Sequence, residues 1–526
     1  MKAAIAAGHE MTASAGARAL QDGGNAVDAV VASGAMSWAA EPALTGPCGG
    51  GFVLVRPVRR HRAALLDAFT AIPGRDLPPD RRLAEVEEVL VPFDERTTQV
   101  FHVGSATCAV PGVVAGLYEV HRRHGRLPWK QLLLPAAEAA DRGVATNPGQ
   151  QRVFDAIRVI LTRTPEALEI FAPGGTFTTA GSVIRQPELA RSIELLAKRG
   201  PDELYRGALG RAIVEHQHRH GGRLTLADLE SYRPIWRRPL RTCYRGHDLL
   251  TNPPPSSGGV LIAHMLGVLD GIPPQRPPGT APALRALAES MRSAARLRDR
   301  RFATLLHRGG LTRHVLSDEA IAAGREAVRR ALEGASPEVS PAVRSDAGTT
   351  HISVVDGQGN AAAFTASNGS HSGVIVPGTG IHLNNMMGEE DLAAGRDLAP
   401  GKRLTSMQAP TMVECDGSIR LVVGSSGSNR LRSAIMQVVV NVVDHGMAVQ
   451  DAVSFPRIHV EGPRLDAEGG FDPAELDRLE AWGETVVRFD SLNLYFGGAN
   501  AVLVDGGMPS AAGDPRRDCA GIVLDV

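Results

Sequence analysis

The chain has almost no net charge, no long apolar run and no paired cysteines, and each absence removes a class of protein. Lys and Arg number 56 against 57 Asp and Glu, a formal net charge of -1, and the two signs are mixed along most of the length. No basic face directs it to nucleic acid or to an anionic membrane surface. No apolar stretch approaches about 18 residues, so no spanning helix is expected. The five cysteines, Cys48, Cys108, Cys243, Cys415 and Cys519, are scattered, odd in number and never in a C-x-x-C pair. That spacing suits neither a disulfide framework nor a zinc site, and they read as small core residues. The N-terminal MKAAIAAGHEMTASAG has only a short Ala-rich run, which His9 and Glu10 interrupt too early for a signal-peptide core, so a cytoplasmic protein is expected.

What is present is an ordinary soluble composition, 43% hydrophobic and 21% charged, in 526 residues, enough for a large core or several. Residues 22–40, DGGNAVDAVVASGAMSWAA, read as a closely packed buried helix with Asn25 as a possible cap, ending at the Gly-rich GPCGGGF. A second helix is expected over 113–124, between Pro111-Gly112 and Gly125. The arginine-dense stretch from Arg285 to Arg301 is interleaved with Ala and Leu at helical spacing and reads as a solvated helix face. Residues 334–348, GASPEVSPAVRSDAG, read as an exposed linker.

After the linker the texture turns to strands. His351 to Asp356 is β-branched, GQGN supplies a turn, and Ala361 to Thr365 returns antiparallel. Asp416-Gly417 between 411–415 and 419–423 is a strong hairpin signal, followed by a buried helix over 431–445 with Gly446 as its stop. There are no internal repeats.

A threonine that follows Gly348 at the end of a flexible linker and opens a strand is suited to one particular chemistry. Its hydroxyl can attack the unobstructed Gly348 carbonyl, shift the acyl link from nitrogen to oxygen, and leave an ester that water cleaves. The product is a new N-terminal Thr349, whose α-amino group serves as the base for its own hydroxyl. A free α-amino group titrates at about 7.7 to 8.0, close to working pH. The alternative is that Thr349 and Thr350 simply begin a strand, where threonine is favoured.

TTHISVVDGQGN (349–360) resembles the segment that opens the small subunit of gamma-glutamyltransferases. GGNAVDAVVASG, AVPGVVAGL, GRLPW, LYRGALG, GGRLTLADLESY, PPPSSGG, VPGTGIHLNN and PRIHVEG resemble family blocks in the expected order, over nearly the whole chain. The resemblance implies an α+β fold, the αββα sandwich of N-terminal-nucleophile hydrolases. It also implies that residues 1–348 and 349–526 become large and small subunits that stay associated as one intertwined body. The implied activity is self-processing followed by cleavage of a gamma-glutamyl or related amide through an acyl-threonine, with transfer to water or an amine and with no cofactor.

The site residues that the resemblance implies follow position by position. Ser367 stands where the family has a threonine bonded to the nucleophile's amino group. Gly427 and Ser428, in GSSGSNR, match the paired glycines of the oxyanion hole, ahead of a helix whose N-terminus favours negative charge. Thr405 and Ser406 match a serine pair that holds the substrate carboxylate, and Glu389 matches an aspartate that binds its α-ammonium. Three departures weaken recognition of a free amino-acid head group: Phe69 replaces the arginine that pairs with the carboxylate, Met386 replaces a glutamine, and Gly369 replaces an asparagine. This pattern resembles the branch that includes class IV cephalosporin acylases, so a glutaryl- or cephalosporin-type acylase with little gamma-glutamyl activity is the alternative. The segment between Glu390 and Lys402 is short for a family lid loop. A catalytically inactive relative is a further alternative. A metal site at His216, His218 and His220 in EHQHRH is not expected, because the surrounding residues read as a helix.

Overall fold

The computed structural model of the chain describes residues 1–58, 62–78, 80–92, 98–337, 348–389 and 399–526. Two antiparallel sheets face each other. The first has seven strands in the order Ala520–Asp525, Lys2–Ala7, Thr350–Val355, Ala361–Ser367, Gly50–Arg56, Ala64–Ala68 and Ile235–Arg237. The second has six, in the order Met508–Ala512, Gly498–Asp505, Ser418–Ser426, Thr411–Cys415, His247–Thr251 and Leu240–Tyr244. Residues from both sides of Thr349 contribute to each sheet, so neither half of the chain closes a core by itself.

Helices cover both outer faces, which makes this an α+β sandwich. Glu10–Gln21, Ala26–Ala40 and Val113–His124 pack on the first sheet, with Trp129–Arg142 stacked on Ala26–Ala40, in a core with Ile5, Val53, Ile352, Val354 and Phe364. Gly258–Asp270 and Arg430–Val443 pack on the second, around Leu421, Val423 and Leu503, with Ala281–Arg296 stacked on Gly258–Asp270. A third apolar cluster fills the space between the sheets. Because both faces are covered, the central strands Thr350–Val355 and Ala361–Ser367 are buried at every position, the polar His351 and Ser353 included.

Local signals set the boundaries of several elements. Asn25 caps Ala26–Ala40 through a capping box with Asp28. The helix Val113–His124 stops at Gly125, and the hairpin turns at Asp416 (φ 50°) and Gly417 (φ 74°). No helix among the described residues is long and apolar enough to cross a membrane.

Two expectations are corrected. The stretch from Arg285 to Arg301 is not a solvated face: Arg285 and Arg292 are buried and both donate to Glu484, with Arg285 Nη1 at 2.7 Å and Arg292 Nη1 at 2.9 Å from its Oε1. The partner comes from nearly two hundred residues away, and local spacing cannot reveal it. Nor are all the cysteines core residues: Cys48 and Cys108 are buried, Cys415 and Cys519 are half-buried and Cys243 is exposed. Most of the linker (338–347) and most of the short segment after Glu389 (390–398) lie outside the described residues. His216 and His218 lie on the helix Ala208–Arg219, and the His216 and His220 rings stack 4.1 Å apart.

Candidate active site

The strand that begins at Thr350 lies across the inter-sheet space from Ser418–Ser426. The His351 ring sits against Gly424, where no β-carbon would fit, while Val355 shares a cluster with Ile419 and Val422. Asn500, paired with Gly424 in the second sheet, donates from Nδ2 to the His351 carbonyl at 2.8 Å, and Ser353 Oγ donates to the Asn500 carbonyl at 3.1 Å. Side chains alternate along a strand, so 351, 353 and 355 turn toward the second sheet and Thr350, Ile352 and Val354 toward the helices. Thr349, just ahead of this strand, is itself 2% exposed.

The peptide ahead of Thr349 is clamped. Gly348 N–H donates to the Gly369 carbonyl at 3.0 Å, the Ser367 hydroxyl donates to the Gly348 carbonyl, and Gly369 N–H donates to Ser367 Oγ at 2.9 Å. A β-carbon on residue 348 would lie 2.7 Å from the Gly369 carbonyl oxygen and 3.0 Å from that of Ala43. Only glycine fits so tight a backbone cradle. Ser367 therefore engages the carbonyl side of this peptide, in which the Thr349 nitrogen is an amide.

Gly427 (φ 109°) and Ser428 (φ 59°) form the turn between Ser418–Ser426 and the helix Arg430–Val443. A β-carbon on Gly427 would meet Gly497 Cα at 2.6 Å, so the turn requires glycine there on two grounds. The first N–H groups of a helix have no intrahelical partner, and consecutive left-handed residues just ahead of one concentrate such donors.

The remaining candidates fall in two groups. Glu389 is buried beside Gly369: a β-carbon on residue 369 would lie 2.9 Å from Glu389 Oε1 and would collide with Asn385 Oδ1. With φ at 70°, residue 369 holds glycine here for want of room. Thr405 Oγ1 donates to the Pro255 carbonyl at 2.8 Å, and Ser406 Oγ accepts from Gln408 N–H at 3.0 Å, so both hydroxyls have partners in the protein. Phe69 and Met386 are buried in the inter-sheet apolar cluster, where the Phe69 ring stacks on Phe52 with centroids 5.5 Å apart.

Several residues escaped the sequence reading. Glu41, just past the helix Ala26–Ala40, accepts from Thr350 Oγ1 at 2.5 Å and from Thr12 Oγ1 at 2.7 Å, one residue from the candidate nucleophile. Burial raises its pKa, against those two hydrogen bonds and the nearby Arg517 charge, which favour the carboxylate. Asn368, beside Ser367, donates to His371 Nδ1 at 2.8 Å, and the buried rings of His371 and His382 stack 4.1 Å apart. Desolvation pushes both His351 and His371 down to about 3, so all three rings stay neutral at ordinary pH, His382 being shifted in the same direction. His351 lies within the TTH that opens the strand, and that was the available signal for it. Arg517 had none. Among the described residues no group of three His, Cys, Asp or Glu side chains is arranged to hold a metal ion.

A family model described as gamma-glutamyltranspeptidase matches residues 12–524. The chain is 35% identical to an acylase ACY 1 proenzyme of Pseudomonas sp. strain SE83, over 97% of this chain and 91% of that protein. It is 31% identical to the glutathione hydrolase proenzyme of Escherichia coli K12, over 94% and 87%. The solved cephalosporin acylase from Bacillus halodurans superposes with a TM-score of 0.82 at 24% identity, covering 99% of this chain and 95% of that one, a likeness of fold. The two facing sheets between helical layers are the fold of N-terminal-nucleophile hydrolases, and the chain belongs to the gamma-glutamyltranspeptidase family of hydrolase and transferase enzymes.

Proposed function

We propose that the chain cuts itself between Gly348 and Thr349 and that the freed Thr349 is the nucleophile of an amide hydrolase. The observation that carries this reading is the clamp on Gly348. A hydroxyl donor on the carbonyl oxygen polarises the bond under attack and stabilises the charge that develops there. Thr349 Oγ adds to the Gly348 carbonyl carbon, the C–N bond breaks as the nitrogen takes up a proton, and water hydrolyses the resulting ester. The products are a Gly348 carboxylate and a free α-amino group on Thr349. In turnover the same hydroxyl, deprotonated by that amine, takes the acyl group of the substrate. The amine leaving group departs with a proton, and water or another amine releases the acid or a new amide. Gly427 and Ser428 N–H groups receive the oxyanion, and residues 1–348 and 349–526 remain associated because each sheet needs strands from both.

The substrate is an acyl amide without a free amino-acid head group. Phe69 and Met386, where the family has arginine and glutamine, are packed into the core, and Thr405 donates its hydroxyl to the Pro255 carbonyl. A charge-assisted fork to a carboxylate is not replaced by an aromatic ring. This favours acylase over glutathione-type substrates, in keeping with the name of the Pseudomonas relative. The test is kcat/KM for gamma-glutamyl, glutaryl and aromatic-acyl anilides with processed protein. A strong preference for the gamma-glutamyl compound overturns the substrate assignment and leaves the nucleophile untouched.

A further inference from the structure

Several buried arginines among the described residues are paired with carboxylates. Arg56 meets Glu414 at 2.7 Å, Arg457 meets Asp514 at 2.7 Å, and Arg516 is bound by both Glu468 and Asp514. Arg517, 9% exposed, has neither a hydrogen-bond partner for Nε and Nη1 nor a carboxylate within ion-pair distance among the described residues. Its backbone is held firmly: Gly149 packs on the Arg517 carbonyl, and Gly149 N–H donates to Asp518 Oδ2 at 2.5 Å. The side chain is aimed at the oxyanion turn. Its Cδ lies 2.7 Å from where a β-carbon on Gly498 would be, and its Nη2 lies 3.9 Å from where one on Gly427 would be. Burial works against its charge, as does the nearby Arg430, while Cys519, Asp514 and, least, Glu41 favour it from a distance.

Resting on the assignment of Thr349 and the Gly427–Ser428 turn, we propose that Arg517 is a specificity-determining residue that receives a carboxylate carried on the acyl arm of the substrate. Guanidinium stays charged under all ordinary conditions, so a buried one without an anion requires a partner. The described protein atoms do not supply it, and the scissile carbonyl is delivered to the adjoining turn. A short dicarboxylic half-amide of the glutaryl kind, with one carboxyl carbon at the nucleophile, carries its second carboxylate for Nη2, the guanidinium nitrogen beside the Gly427 turn. Arg517 thus supplies, from the oxyanion side, a cation that the core position of Phe69 lacks. It also explains why an acyl arm with a carboxylate and no α-ammonium suits this site: Arg517 offers donors only.

The test compares glutarate with pentanoate, and glutaryl-p-nitroanilide with pentanoyl-p-nitroanilide, the pairs differing only in a carboxylate against a methyl group. Calorimetry gives the binding constants and initial rates give kcat and KM, for processed wild type, Arg517→Gln and Arg517→Lys. The expected wild-type preference for the dicarboxylic member is roughly ten- to a hundredfold, the range of a charge-assisted hydrogen bond. Arg517→Gln should abolish it through KM more than kcat, and Arg517→Lys should keep part of it. If Arg517→Gln does not fold, Arg517→Lys carries the test through a several-fold loss confined to the dicarboxylic compounds. Absence of any wild-type preference, or an equal fall for both members of each pair, overturns the assignment. The two readings fail separately: discrimination in binding without turnover sinks Thr349 as nucleophile, and turnover without discrimination sinks Arg517.

Discussion

The hydroxyl of Ser367 donates to the carbonyl of Gly348, the acyl half of the peptide that precedes Thr349. Strand pairing holds the contact in place: Ser367 ends the strand Ala361–Ser367, is paired with Gly50 on one side, and accepts Gly369 N–H on its oxygen. The donor is thus oriented before any bond breaks.

Ser367→Ala should slow self-cleavage by roughly a hundredfold, the usual effect of removing one preorganised donor from a developing oxyanion, whereas Ser367→Thr should stay close to wild type. The check is a time course of the uncut chain on denaturing gels after rapid purification. Equal rates for wild type and Ser367→Ala would show that the contact is structural.

Gly369→Asn restores the residue found in the family and should nevertheless harm this protein. Asparagine tolerates a positive φ, but its β-carbon would collide with Asn385 Oδ1. A loss of about 1 to 3 kcal/mol, typical of overpacking, is expected in denaturant unfolding. Asn385→Gly in the same chain should recover part of it.

Acid should destabilise the fold through its buried imidazoles. His351 and His371 are held neutral, pushed down to about 3 by burial, while an unfolded histidine titrates near the ordinary 6.5. Their contribution is present above that value and is lost as pH falls from 6.5 toward 3, at up to about 1.4 kcal/mol per pH unit for each ring. His371→Gln should flatten the dependence of Tm on pH between 6.5 and 5, whatever it does to the absolute Tm. An unchanged slope would mean the ring is already charged in the fold.

Elements governed by neighbouring residues were legible in the sequence: the Asn25 cap, the Asp416-Gly417 hairpin and the helix after Pro111-Gly112 each carry their cause within a few positions. The sandwich came through the ordered family blocks, because seven strands from distant segments leave no local trace. Arg285 and Arg292 were misread because helical spacing is the same for a solvated and a buried arginine, and only Glu484 distinguishes them. Glu41 and Arg517 were missed for a related reason. Each is brought toward the start of the Thr350 strand by long-range tertiary contacts, Glu41 through Thr350 and Arg517 through the Gly427 turn.

Intact-mass spectrometry of the purified protein tests the nucleophile most directly. The 55.6 kDa chain should resolve into two fragments, the smaller beginning at Thr349. Thr349→Ala should remain whole and inactive toward every acyl anilide, and Thr349→Ser should be cut and retain part of the activity. A wild-type protein that hydrolyses these amides while uncut, or that is cut at any other bond, would contradict the assignment of Thr349.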